Sequence, residues 1–279
     1  MSGCSSTTFV YNRLDTIIGW YIDDFVTLSS EQKSSFDARI DELLDWHRRE
    51  ELPRYVWLLT ATEGALDSEL SVARAQQIFE EANTAADRLQ SKVLATLIAF
   101  GEELSPAQRQ EFVVRLKARQ EELKEEYLER DDEEFFEDNR DRIVSNLSDY
   151  LGPLNRDQKA LIAAGVGDFE RLDALWIADR ERWLTALEAI LASDSPDWAQ
   201  QIQSQLAAWR TDRSPEYLSA FENNTQVTLE LLCAVVNDRT PKQDRRLRRS
   251  IASYRDDFRE LIAEVEENPT AINSAELGL

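Results

Sequence analysis

Four places in this chain carry the same short instruction: a hydroxyl or amide residue, two variable residues, then glutamine. They begin at Ser29, Ser105, Asn155 and Thr240 and close at Gln32, Gln108, Gln158 and Gln243. Leucine precedes three of them (Leu28, Leu104, Leu154), and proline follows the polar residue in two (Pro106, Pro241). The spacing is that of a capping box. The first side chain accepts a bond from a first-turn backbone N–H, and the glutamine reaches back to the N–H of the capping residue. Proline at the first helical position gives up a donor that lacks a partner there anyway. Each element is therefore a helix start. Glycine (8) and proline (7) are too scarce among 279 residues for a fold rich in hairpins, and good helix formers dominate between the starts. The chain is expected to be all-α, a multi-helix bundle.

Apolar periodicity fills in the elements. A first helix is expected over 12–26, with Leu14, Ile17, Ile18, Tyr21, Ile22 and Phe25 sharing an inward face. The helix that starts at Ser29 meets Pro53, which should kink or break it. A third spans about 71–100, and the one opened at Ser105 runs into an acidic stretch, 121–141, with twelve acids against three bases. Such a run reads as a solvated helix face or a frayed connection. Gly165 and Gly167 break the helix begun at Asn155, and Thr240 opens the last one. Superposing Gln108 on Gln243 aligns Phe112 with Leu247, Leu116 with Ile251, Leu123 with Phe258 and Tyr127 with Ile262. Two related helical halves follow, 12–152 and 153–267, after a tether at 1–11 and before a flexible tail at 268–279.

Charge removes several function classes. A net charge of −22 repels phosphate backbones and anionic headgroups, so neither nucleic acid nor a charged membrane surface is an expected partner. No apolar run approaches the length of a membrane span. Glycine-rich phosphate loops are missing, so no cofactor is expected. With one histidine the chain cannot supply the paired Glu-x-x-His sites of a di-metal bundle, and no metal is expected. Cys233 lies in an apolar run, where a buried small hydrophobe is the ordinary reading. His47 could act as a general base only beside a partner that sequence cannot place; otherwise it is a packed, hydrogen-bonded histidine. No enzymatic activity is expected.

What remains is binding. Trp46, His47, Arg48, Arg49 and Tyr55 gather after the first helix start, and Trp176, Arg180 and Trp183 occupy a comparable place in the second half. Aromatic and arginine side chains together suit a groove for a protein or peptide partner. The other reading makes the indoles core residues and pairs the arginines with nearby acids. Lys242, Arg245, Arg246, Arg248 and Arg249 crowd the start of the last helix against its dipole and call for an acidic partner, for which 121–141 is the nearest candidate.

Three resemblances extend these readings. Ser2-Gly3-Cys4, followed by Ser5 to Thr8, resembles the end of a lipobox and the short polar tether of a bacterial lipoprotein. It implies a lipid on Cys4 as the one membrane attachment. Because Ser5 rather than Asp follows, it also implies the periplasmic face of the outer membrane. The charged and apolar parts of a leader are missing, so Met1 is expected to replace a signal peptide. The leucine-Ser/Thr-x-x-Gln element at Leu28-Ser29-Gln32 and Leu104-Ser105-Gln108, with looser copies at Leu154-Asn155-Gln158 and Thr240-Gln243, resembles the signature of the Spy/CpxP family of periplasmic stress proteins. That resemblance implies two Spy/CpxP-like halves in an elongated or curved bundle. It also implies ATP-independent, chaperone-like holding of clients. Tyr11-Asn12-Arg13-Leu14-Asp15, Trp20-Tyr21-Ile22-Asp23-Asp24, His47-Arg48-Arg49 and Leu52-Pro53-Arg54-Tyr55 resemble an uncharacterised family of proteobacterial lipoproteins. It implies an envelope location and an accessory role on one envelope complex as the alternative to chaperone action.

Overall fold

The computed structural model describes residues 6–193 and 195–267; Cys4 and the tail 268–279 lie outside the described residues. The fold is all-α, with no strand among the described residues. The helices are α1 Ser6–Tyr11, α2 Leu14–Asp23, α3 Ser30–Trp46, α4 Leu52–Ala65, α5 Val72–Gly101 and α6 Pro106–Glu129. They continue as α7 Asp132–Leu151, α8 Arg156–Gly165, α9 Asp173–Ala192, α10 Trp198–Thr211, α11 Pro215–Asn237 and α12 Pro241–Glu267.

Two compact units divide the chain. One gathers the described residues up to Trp20, Ser30–Leu97 and those from Arg245 on; the other takes Tyr21–Ser29 and Ile98–Asp244. Three of the four borders fall inside α2, α5 and α12 and the other at the start of α3, so the last helix joins the first ones in a single unit.

The helix starts form as the capping chemistry dictates. α3 begins directly after Ser29. The Ser105 hydroxyl accepts from the Gln108 N–H at 3.3 Å, and the Ser105 N–H donates to Gln108 Oε1 at 3.0 Å. Asn155 with Gln158 and Thr240 with Gln243 repeat the same reciprocal pair. The glutamines also do something a cap alone does not require. In the second unit the Gln158 and Gln243 amides bond each other in both directions, at 3.1 and 2.9 Å, and both side chains are buried. Gln243 Nε2 also donates to the Pro153 carbonyl, and Gln108 Nε2 donates to the Thr27 carbonyl. Pro153 and Thr27 each stand two residues before the capping residue of the earlier motif. Gln108 and Gln243 thus each bond the carbonyl two residues before the cap of the preceding motif.

Elsewhere the structure corrects the sequence reading. The expected helix over 12–26 is the shorter α2, Leu14–Asp23, and Ile17 and Tyr21 of its supposed inward face are exposed. The acidic stretch is not frayed. It is divided between α6 and α7, and Asp131 with Glu134 builds a capping box at the join. Arg130, between the two helices, binds the Asp173 carboxylate through Nε and Nη2 at 3.0 and 2.7 Å. Arg248 of the basic cluster answers the end of α4: it donates to the Leu66 carbonyl and to Asp67, each at 2.9 Å, where a cation complements the helix dipole. α8 ends at Gly165, where a Cβ would come within 2.4 Å of Leu231, so α8 and α11 approach each other only because that position is glycine.

Gln158→Leu should lower stability by about 1–3 kcal/mol, because it strands the buried Gln243 amide. Adding Gln243→Leu should return part of that loss, since both partners then become apolar. Urea unfolding of the two single variants and the double variant reads this directly.

Candidate functional site

Pro53 decides the local geometry of the first unit. Within a helix its ring clashes with the carbonyl of Arg49 and supplies no N–H. The chain does not break there. Residues His47–Glu51 widen into a π-helical turn closed by the Leu52 N–H bonding the His47 carbonyl, and α4 then starts with Pro53 in its first turn. Single π turns inside α-helices recur at functional sites.

The widened turn buries Glu51 completely. Its Oε1 accepts from Arg54 Nη1 at 2.7 Å and Arg88 Nε at 2.8 Å, and its Oε2 accepts from Arg88 Nη2 at 2.9 Å. Burial alone would raise the Glu51 carboxyl, but the hydrogen bonds and charges of Arg88 and Arg54 outweigh it and hold the group below the usual carboxylate range. Arg54 and Arg88 also line a cleft of about 290 Å³ between α4 and α5, with Tyr55, Trp57 and Ala85 among its walls. Trp57 is 61% exposed, far more than an indole in a packed core.

His47 sits at the other end of the turn. The Tyr11 hydroxyl lies 2.7 Å from His47 Nδ1, and the two rings stack at 5.8 Å. Burial pushes the Tyr11 hydroxyl up to about 12, against the pull of Arg48, so it stays protonated. Burial also lowers His47, which Arg48 reinforces and Glu51 opposes. The lowered value favours the neutral imidazole, which shares this hydrogen bond through Nδ1. Tyr55 meets the ring edge-on at 5.4 Å and continues to Phe258 at 6.1 Å. Arg48 lies over the Tyr11 ring and donates to Asn12 Oδ1, and Lys92 lies over Trp46. Arg49 pairs with Asp45 on the exposed face of α3. These five sequence candidates belong to one neighbourhood, in which His47 is a packed, hydrogen-bonded residue.

The other three lie in the second unit. Arg180 stacks on Trp176 at 5.0 Å and donates to the buried Gln120. Trp183 packs against the core of Ile98, Leu184, Leu187 and Ile202. That set braces α9 against α6. Sequence reasoning missed Glu51, Trp57 and Arg88. Arg88 carries no local signal, since it reaches Glu51 from a different helix. Glu51 could have been found by counting back from Pro53.

Among the described residues no group of three or more His, Cys, Asp or Glu could hold a metal ion, and no helix is long and apolar enough to cross a membrane.

The sequence profile of a family of unknown function, DUF6279, matches residues 24–218. The chain belongs to that family. The match includes the π turn, α4, α5 and α9, and it leaves out α1, α2 and α12. No curated protein and no solved structure matches the chain.

Removing either side of the ion cluster should have unequal effects. Arg88→Met leaves a buried carboxylate facing Arg54 alone and should cost about 3–5 kcal/mol. Glu51→Gln should cost less, about 1–3 kcal/mol, because the partly exposed arginines can rehydrate. The reverse order in thermal melts would contradict the burial of Glu51.

His47 makes a separate prediction about pH. Its native value is below the ordinary 6.5, so the unfolded chain binds the extra proton first. The stability this contributes is complete above about pH 6.5 and declines as pH falls toward the native value. Urea midpoints followed from about pH 7.5 to about 5.5 should fall, and His47→Gln should flatten that slope.

Proposed function

We propose that this protein is a non-enzymatic binding protein of the bacterial envelope, held to the periplasmic face of the outer membrane by a lipid on Cys4. The observation that carries the binding reading is the cleft at the π turn. Two arginines, fixed by a buried glutamate, stand beside an exposed indole in a concavity of about 290 Å³. Fixed guanidinium groups lose little entropy on binding, and Trp and Arg are the side chains that most often anchor interfaces. The cleft suits a short segment of a protein partner, with an aromatic or aliphatic side chain against Trp57 and a carboxylate or carbonyl toward Arg54 and Arg88. The lipid and the location rest on the likeness of Ser2-Gly3-Cys4 to a lipobox.

Chaperone-like holding without ATP is the broader form of the same reading. It draws support from the helix-start likeness to the Spy/CpxP family and from apolar side chains exposed outside the cleft, such as Leu218 and Phe221 on α11. An accessory lipoprotein docked on one envelope complex is the narrower form, and the small size of the cleft favours it.

A photo-crosslinking amino acid at position 57, in cells that make the chain behind a lipoprotein leader, separates these forms. One discrete adduct that is lost with Arg88→Met supports the docked accessory protein. Many adducts, together with suppressed aggregation of an unfolded test protein, support the chaperone form. No Arg88-dependent adduct in any form refutes the cleft as a binding site. Metabolic labelling with an alkyne fatty acid, abolished by Cys4→Ser, tests the anchor.

A further inference from the structure

The first two helices are assembled inside out. On α1 the side chain of Thr8 is completely buried and Tyr11 is 8% exposed, whereas Phe9 and Val10 are each 51% exposed. On α2 no residue is buried, and Ile17 and Trp20 are 42% and 69% exposed. A chain that folds to hide apolar surface places such side chains inward, so this much apolar exposure beside a buried threonine marks a surface made for another phase or partner. The arrangement is not a loose end. Tyr11 is bonded to His47, and Asn12 accepts from Arg48 and donates to Glu264. The outward face is thus held in place by the body.

We propose that the exposed apolar side chains of α1 and α2, Phe9, Val10, Ile17 and Trp20, lie in the interface of a zwitterionic phospholipid bilayer. The inference rests on the reading that Cys4 carries a lipid. Ser6, where α1 begins, is two residues from Cys4, and two residues span at most about 7 Å. A lipid on Cys4 therefore brings α1 to the headgroup layer, with no tether long enough to hold its apolar side chains in water. Phe9 and Trp20 are of the type that settles at that depth. Arg13, whose guanidinium lies 4.1 Å over the Phe9 ring, can reach a headgroup phosphate while its stem stays on the apolar face. The net charge of −22 disfavours a strongly anionic surface, which selects a zwitterionic one.

The experiment supplies the anchor chemically, so its outcome does not depend on whether cells lipidate Cys4. The full chain is coupled through the Cys4 thiol to a maleimide headgroup lipid in phosphatidylcholine and phosphatidylethanolamine vesicles; Cys233 is buried and stays out of the reaction. Brominated acyl chains then quench any indole that enters the bilayer. The expected result is quenching in the parent protein, loss of most of it in Trp20→Phe, and loss of most of it in Phe9→Ser/Val10→Ser, with unchanged helicity. Quenching that is absent, or unchanged in Trp20→Phe, overturns the proposal and leaves this face to a protein partner. If Trp20 is quenched on vesicles but fatty-acid labelling in cells fails, the anchor falls and the face stands. If labelling succeeds without Trp20 quenching, the anchor stands and the face falls.

Discussion

Pro53 cannot donate to the carbonyl four residues before it, and its ring cannot sit under that carbonyl in an ordinary helical turn. The chain passes this point by adding one residue to the turn rather than by breaking. The extra residue rotates the side chains of 47–51, so His47 and Glu51 turn toward neighbouring elements instead of toward water. Everything of chemical interest in the first unit follows from that rotation. Glu51 becomes a buried carboxylate that must be answered, and Arg88 and Arg54 answer it. The same arginines wall the cleft beside Trp57. At the other end of the turn His47 shares a hydrogen bond with Tyr11, which fixes α1 on the body.

Much of the fold was legible because helix boundaries are local chemistry. Ser105, Asn155 and Thr240 announce their caps with a glutamine three residues on, and each cap forms as written. The join at Asp131 and Glu134 uses the same rule with acids in both places, and it went unread because the surrounding charge suggested a frayed segment. Pro53 was read correctly as a disturbance, but a break and a π turn have the same sequence signature. What separates them is whether the surrounding helices can pack around the wider turn. The compact units were not legible. Helical periodicity says which face is inward but not which distant helix covers it, and here the last helix closes onto the first ones.

The candidate site was legible only in part. His47, Arg48 and Tyr55 were picked out by type and proximity, and they do share one neighbourhood. Of the two readings left open for them, their contacts are those of an aromatic and hydrogen-bonded brace, while the exposed indole beside the cleft is Trp57. Trp176, Arg180 and Trp183 match the same compositional pattern and instead brace α9 against α6. Composition cannot tell a brace from a groove, because both use aromatic area and guanidinium stacking. Partner geometry decides, and for Glu51 and Arg88 that geometry spans 37 residues of sequence.

The buried ion cluster is the feature on which the cleft depends, and the Glu51 carboxyl reports on it without perturbing it. A carbon-13 NMR titration that follows this carboxyl is the most direct measurement. Titration below the ordinary glutamate value of 4.5 is expected, moving upward in Arg88→Met. Titration at or above that value in the unaltered protein would mean that the arginines do not hold Glu51, and the cleft would lose its foundation.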